Sequence, residues 1–492
     1  MFFFLFLLFD AAAAAVAAPR GCCCATRLLL RHVAPRALPP QMLATTAAPT
    51  WDTLSASVLK TATGTRLAAE AEERLKGRGP PHTDSLLRLF DAKDESEVRV
   101  NFYRDHAAWC PYCQKTWLLL EEKRIPYKVT KINMRSYGDK PASFTNKVPG
   151  GYLPALELDG KMITESLVIM QLLDATFPQG PPMLPPPGTP ERDAAQRLLS
   201  LERELFSAWC QLTFQPGKGL FDANERNFLA TMRKVDDALL ATPGPWFLGG
   251  DAPSLVDLQY VSHVERMLAS VLYWKNVKLR GTGSFPGLDA WLTAFEQRPS
   301  YVATKSDYYT HVMDIPPQYG PGYPVDAAKS VAAGIRGEGT WELPLKLNAA
   351  LNVADALEPL APLQYSSEEA AAAEAAFKLT RNAKNIARFA ARAVGTPGRP
   401  QFQAPLADPY AKPNEALVEP VDVALRHVAH ALLFGTSAAL SAGAAADLAG
   451  SGKELQSCLA YLRDRVGVPR DMGQAAAICF RAHLQWAIDL CE

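Results

Sequence analysis

The sequence predicts an α/β domain followed by two all-α domains, with a leader and a short helical extension in front. Three observations carry that reading. Short strands and amphipathic helices alternate between residues 98 and 182, and beyond residue 190 strand patterns give way to apolar stripes at helical spacing. The chain of 492 residues also exceeds what one core usually holds, roughly 250 residues.

Val98 to Tyr103 reads as a strand, Arg104 to Trp109 as a turn, and Pro111 to Lys123 as a helix whose first residue needs no N–H. Tyr127 to Ile132 is a second strand, and the loop Asn133 to Tyr152 carries Pro141, Pro149, Gly150 and Gly151. Asp159-Gly160, between Pro154–Leu158 and Lys161–Thr164, signals a hairpin. Glu165 to Phe177 closes the unit as a helix, and Pro181 to Pro187 reads as a linker. The order β-α-β-loop-β-β-α over residues 98–182 is that of a thioredoxin-like domain.

Residues 190–312 read as all-α. Leu198, Leu199, Leu201 and Leu205 form one apolar stripe, Ser254 to Asp257 has the form of a capping box with Asp in place of Glu, and Pro286 to Phe295 is a further helix. Residues 320–492 form a third, Ala-rich helical domain of unknown role, with helices over Ser366–Val394, Val421–Leu433, Ser451–Val466 and Asp471–Leu490. In front, Trp51 to Lys76 reads as one helix, part of an extension over 51–97 expected to pack on the next domain.

Chemistry concentrates at Cys110-Pro111-Tyr112-Cys113. Cys110 falls at a helix N-terminus, where free N–H groups and the macrodipole favour a thiolate, and Cys113 one turn further in suits a resolving thiol. The rival reading, a structural zinc half-site, lacks the second CxxC pair that four ligands would need. His427, His430 and His483 invite a metal, but the neighbouring carboxylates lack the spacing of a helical ligand set, so no metal is expected.

Lys+Arg and Asp+Glu are both 51, which gives no support for nucleic acid as a partner. Of nine cysteines, three form the run Cys22-Cys23-Cys24 and four are scattered, unlike a secreted disulfide framework. Residues 1–50 read as a transit peptide: Arg20, Arg27, Arg31 and Arg36 punctuate it, and no acidic residue occurs between Asp10 and Asp52. A secretory signal ending near Ala17 competes, as does a true start at Met42. No stable membrane span is expected in the mature chain.

The CPYC dithiol, Tyr152-Leu153-Pro154 before an antiparallel strand, Glu165-Ser166 at a helix start and the helical domain beyond resemble a glutathione transferase. The dithiol is that of glutaredoxins, near the cysteine-type classes. The long extension, the run His106-Ala107-Ala108-Trp109-Cys110-Pro111-Tyr112-Cys113-Gln114 and the extra C-terminal domain resemble the iota class of algae, mosses and cyanobacteria.

The resemblance implies glutathione as co-substrate and a glutathione-dependent thiol–disulfide oxidoreductase of thioltransferase or deglutathionylation type. Its partner would be a disulfide, glutathionylated or electrophilic substrate. It further implies that Cys110 is the nucleophile and Cys113 the resolving thiol. Leu153, before a cis Pro154, would offer its backbone to the cysteinyl amide; Glu165 and Ser166 would take the γ-glutamyl end, and Lys147 the glycyl carboxylate. Conjugation of electrophiles, or ligand binding without turnover, are the alternatives. A plastid address follows from the leader and the class together, with mitochondrion or cytosol as alternatives.

Overall fold

The computed structural model describes residues 47–180, 182–216, 223–345 and 357–492. The leader read over residues 1–50 lies almost wholly outside these, as does Pro181 of the linker.

Thr50 and Thr61 each cap a helix through the hydroxyl, so the extension contains two helices, α1 (Trp51–Leu59) and α2 (Ala62–Leu75), where one was expected. Gly64 permits the elbow: a Cβ there would sit 2.1 Å from the Val58 carbonyl oxygen. Both helices pack on the C-terminal bundle, against expectation. Their apolar stripe of Leu54, Val58 and Leu67 shares that bundle's core, because its Ala-rich faces leave room for large side chains.

One sheet holds β1 (Leu87–Arg88), β2 (Val100–Asp105), β3 (Tyr127–Ile132), β4 (Ala155–Leu158) and β5 (Lys161–Thr164), in the order β1-β3-β2-β4-β5. β2 and β3 are parallel, joined through α3 (Pro111–Glu122), and the other pairs are antiparallel. Asp159 and Gly160 have φ of +50° and +79°, as a two-residue type I′ turn requires. β1 is too short for an alternation signal. It is pinned by Arg88, whose guanidinium makes two 2.9 Å bonds to the Glu121 carboxylate.

β2 begins and ends two residues later than its apolar pattern suggested. Arg104 and Asp105 resemble turn residues yet are fully buried, because each charge finds partners. The Arg104 guanidinium lies 4.4 Å from the Trp117 ring and donates to the Thr83 carbonyl at 2.6 Å, while Asp105 accepts from the Trp109 N–H at 2.7 Å. Alternation along β2 sorts the two faces. Val100 and Phe102 join the core under α3 and α5 (Ser166–Thr176), and Tyr103 packs with Phe144 of α4 (Ala142–Thr145).

The middle helices are α6 (Pro190–Thr213), α7 (Ala223–Leu240), α8 (Leu255–Lys275), α9 (Pro286–Phe295), α10 (Pro299–Val302), α11 (Tyr308–Tyr319) and α12 (Lys329–Ile335). α8 is buried along nearly its whole length and packs on α3, α6, α11 and α12. Asp257 ties its first turn, accepting from the Ser254 N–H at 2.8 Å and from the Trp291 indole at 2.9 Å.

The C-terminal bundle comprises α13 (Glu368–Arg381), α14 (Ala383–Ala390), α15 (Val418–Phe434), α16 (Thr436–Ser441), α17 (Ala444–Leu448), α18 (Gly452–Arg463) and α19 (Gln474–Asp489). The helix expected from Ser366 to Val394 breaks at Asn382, whose φ of −138° is not helical and whose side chain accepts from Asn385. Ala371, Ala375, Ala424 and Ala476 line the packed faces of α13, α15 and α19, where small side chains let helices approach closely. No helix among the described residues is long and apolar enough to cross a membrane.

Asp314 of α11 links the helical part to the loop after β3, accepting from the Tyr137 hydroxyl at 2.6 Å. Burial raises its carboxyl to about 7, although the Tyr137 bond opposes the rise. Unfolded, the same carboxyl titrates near about 4. The folded chain therefore holds an extra proton between about pH 4 and 7, and this group's contribution to stability falls as pH rises through that window, by up to about 4 kcal/mol. Asp314→Asn keeps an acceptor for Tyr137 without the charge. Denaturant unfolding at about pH 5 and about pH 8 should show a flatter pH dependence for the variant; an unchanged slope would exonerate Asp314.

Candidate active site

Cys110 is the N-cap of α3, with Pro111 at the first helical position, so the sulfur sits where the helix leaves N–H groups unpaired. Ala108, two residues earlier, has a φ of +64° and turns the chain out of β2. The Cys110 Sγ lies 3.9 Å from the Leu153 carbonyl oxygen, and the Leu153–Pro154 peptide is cis. Cys113 stands one turn deeper and is 1% exposed. Burial, then the hydrogen bond and charge of Cys110, push its thiol well above the ordinary cysteine range. At neutral pH Cys113 is therefore a protonated thiol behind the more accessible sulfur.

Two lysines share the field of this dithiol. Lys140, half-buried, donates to the Gly151 carbonyl and interacts electrostatically with both Cys110 and Cys113. Lys115 is buried with its ammonium 4.8 Å from the Tyr112 ring centroid. Burial draws it down to about 8, against the pull of Glu202, so it is still mostly charged at pH 7. Neither was singled out from the sequence, because nothing in the spacing separates Lys140 from Lys147 within one loop. Lys147, the expected cation, instead pairs with Glu157 at 2.9 Å and meets the Tyr103 hydroxyl at 3.3 Å, on the sheet face that α4 covers.

Glu165 and Ser166 stand at the N-terminus of α5 as expected. Glu165 has a φ of +66°, a conformation that costs about 1–3 kcal/mol for a residue with a side chain. Its side chain does not cap the helix, and its exposed carboxylate makes no ion pair among the described residues. The first turn of α5 thus has no side-chain cap and stands beside an exposed carboxylate, a pairing suited to a zwitterion.

Aromatic contacts run from Tyr112, between the two cysteines, into the helical domain. Tyr112 meets the His263 ring edge-on at 5.2 Å, Phe206 lies 4.8 Å from the same ring, and Phe214 stacks on Tyr319 at 5.7 Å. Burial draws His263 down to about 4 despite its 2.9 Å contact with Glu202, which keeps the ring neutral at pH 7.

Trp109, immediately before the dithiol, is clamped on every polar group it has. Its N–H donates to Asp105 at 2.7 Å, its carbonyl accepts from Arg266 of α8, and its indole N–H donates to the Val468 carbonyl at 3.0 Å. Arg470 lies 4.7 Å over the ring, and Gly467 is in contact with its edge. Val468 is itself fixed by Ser306, which donates to its carbonyl, and by Thr310, which accepts from its N–H at 3.0 Å.

Of the three histidines considered as metal ligands, His427 and His430 lie one turn apart on α15 and His483 is on α19. His427 bonds Asp447 at 2.8 Å and His483 bonds the Cys479 carbonyl at 2.7 Å. Among the described residues no group of three His, Cys, Asp or Glu side chains could hold a metal ion.

The family model for the glutathione S-transferase N-terminal domain matches residues 109–176. Over 197 residues the chain is 29% identical to glutathione S-transferase DHAR2 of Arabidopsis thaliana, covering 40% of this chain and 84% of that one. It is 30% identical over 222 residues to glutathione S-transferase omega-1 of Mus musculus, covering 44% and 84%. A chloroplastic relative, glutathione S-transferase DHAR3 of Arabidopsis thaliana, is 27% identical over 40% of this chain and 69% of its own length.

A methyl group at Gly467 would lie 2.5 Å from Cζ2 of Trp109, and the ring is held too firmly to retreat. Gly467→Ala should cost about 1–3 kcal/mol in denaturant unfolding and slow alkylation of Cys110 by iodoacetamide. Wild-type stability together with a wild-type alkylation rate would mean that the 467–470 loop does not support the dithiol.

Proposed function

This chain belongs to the glutathione S-transferase superfamily, and on that premise we propose that its chemistry is glutathione-dependent thiol–disulfide exchange with Cys110 as nucleophile. The observation that carries the proposal is the asymmetry of the dithiol: one sulfur at a helix N-terminus facing the Leu153 carbonyl, the other buried and protonated behind it. A transferase that conjugates electrophiles needs the glutathione thiolate to remain free, whereas a cysteine at this point takes up glutathione from an existing disulfide by exchange, the displaced thiolate leaving.

In the proposed cycle the Cys110 thiolate attacks the glutathione sulfur of a glutathionylated substrate. The S–S bond breaks, the substrate leaves as a thiolate that takes up a proton, and Cys110 is left as a mixed disulfide with glutathione. The thiolate of a second glutathione attacks the glutathione sulfur of that mixed disulfide, the bond to Cys110 breaks, and glutathione disulfide leaves with Cys110 restored as a thiolate. Cys113 offers an internal route: its thiolate would attack the Cys110 sulfur, releasing glutathione and leaving a Cys110–Cys113 disulfide that two further glutathiones reduce, but its thiol must first lose a proton that burial retains.

For glutathione itself we assign the cysteinyl amide to the Leu153 backbone beside cis Pro154, and the γ-glutamyl carboxylate and ammonium to the α5 N-terminus with Ser166 and Glu165. The glycyl carboxylate goes to Lys140. The support for Lys140 over Lys147 is electrostatic, since Lys140 shares the field of the dithiol and Lys147 is neutralised by Glu157. We also propose a plastid as the site of action, on the acid-poor leader and the chloroplastic relative.

Cys110→Ser should abolish reduction of a small glutathione mixed disulfide, while Cys113→Ser keeps a substantial part of it; full activity in Cys110→Ser would sink the assignment. In calorimetric titration Glu165→Ala should weaken glutathione binding by about 2–5 kcal/mol, roughly 30-fold or more, and unchanged affinity would remove Glu165 from the site. N-terminal sequencing of the mature protein should find a start between about residues 35 and 55, whereas a start just after Ala17 would point to export.

A further inference from the structure

Away from the dithiol, a cleft of about 870 Å³ opens between α2, the approach to β1, α13, α14 and the loop after α18. Its volume is near the upper end for small-molecule sites, roughly 300–1,000 Å³. Part of its lining is apolar, with Leu67, Leu86, Phe377, Ile386 and Leu462 among it. The charged part is one-sided. Six basic side chains, those of Arg74, Lys378, Arg381, Arg392, Arg465 and Arg470, stand against two carboxylates, in a protein whose total charge is balanced.

Asp471 is held by Arg470 at 2.8 Å, and Asp84, 3.6 Å from Lys131, lies within electrostatic reach of Arg74 and Lys378 without bonding to either. Among the described residues, Arg74, Lys378, Arg381, Arg392 and Arg465 have no carboxylate within 4.0 Å. The buried Nε of Arg74 and of Arg465 has no hydrogen-bond partner at all. Three of the guanidiniums lie on aromatic faces: Arg381 over Phe377 and Arg392 over Phe389, each at 5.2 Å, and Arg465 over Tyr461 at 3.6 Å. Aromatic stacking orients a planar fork and leaves most of its N–H donors available, although Arg392 spends one on the Asp408 carbonyl at 3.2 Å and Arg465 one on the Tyr461 carbonyl at 3.4 Å. Like charges gathered on one cavity repel, and burial depresses both Arg74 and Lys378 below their ordinary ranges.

We propose that this cleft binds an amphipathic dianion, an apolar organic body carrying a phosphate monoester head. Several guanidiniums without a carboxylate partner match the charge and fork geometry of phosphate, and the apolar lining takes the body. The site is separate from the thiol chemistry: Cys110, Cys113, Lys140 and Glu165 are not part of its lining.

The probe is 1-naphthyl phosphate, titrated calorimetrically into the full chain with Cys110 blocked by iodoacetamide, so that failure of the thiol assignment leaves the result interpretable. Binding is expected, with 1-naphthol and inorganic phosphate each at least tenfold weaker. Arg74→Gln and Arg381→Gln should each weaken it at least fivefold. On the unmutated chain, 1-naphthyl phosphate should protect Arg74, Arg381 and Arg465 from phenylglyoxal, mapped by mass spectrometry, which keeps the test decisive if a variant does not fold. No binding, equal binding of 1-naphthol or of inorganic phosphate, or no protection of these arginines would each overturn the proposal.

Discussion

Trp109 offers three polar groups, and a different part of the chain takes each. Asp105 of β2 accepts from its N–H, Arg266 of α8 donates to its carbonyl, and Val468 of the C-terminal loop accepts from its indole. A buried polar group left without a partner costs about 1–3 kcal/mol, so all three parts must be in register at once for this residue to be satisfied. Cys110 is its covalent neighbour. The position of the sulfur is therefore set by agreement among elements far apart in sequence, and not by the local turn alone.

The same logic extends along the seam between α3, α8 and α11. Gln114 donates to Glu265 at 3.0 Å and accepts from Arg266 at 3.0 Å, while Glu265 also receives Ser306 at 2.7 Å and His311 at 2.8 Å. Burial would raise the Glu265 carboxyl, but His311, Arg266 and Lys305 draw it down to about 2. Such a cluster adds little net stability compared with an apolar seam. What it confers is specificity, because sliding either helix by one residue would strand several buried charges together.

The dithiol and its helix were legible because proline at the first helical position, a β-branched strand and an Asp-Gly hairpin each have a local cause. The site's cations were not. Lys140 and Lys147 lie in the same loop with similar neighbours, and only the folded path puts one beside the sulfurs and the other on Glu157. β2 was misplaced because burial of Arg104 and Asp105 depends on Thr83, Trp117 and Trp109, partners that no window along the strand contains. The packing of α1 and α2 on residues more than 300 positions away was invisible for the same reason: a stripe of Leu54, Val58 and Leu67 says that a partner exists, not which one.

Trp109 and Val468 are 359 positions apart. At about 5–20 residues per second, a ribosome needs roughly 20–70 s to travel that far. Throughout that interval the growing polypeptide displays its CPYC segment without the loop that steadies it, even if the sheet around it has already formed. The thiol reaches its finished setting only after residues 467–470 have emerged, so the geometry of the dithiol doubles as a check on translation: a product released early would own the cysteines but not the posture that makes them useful.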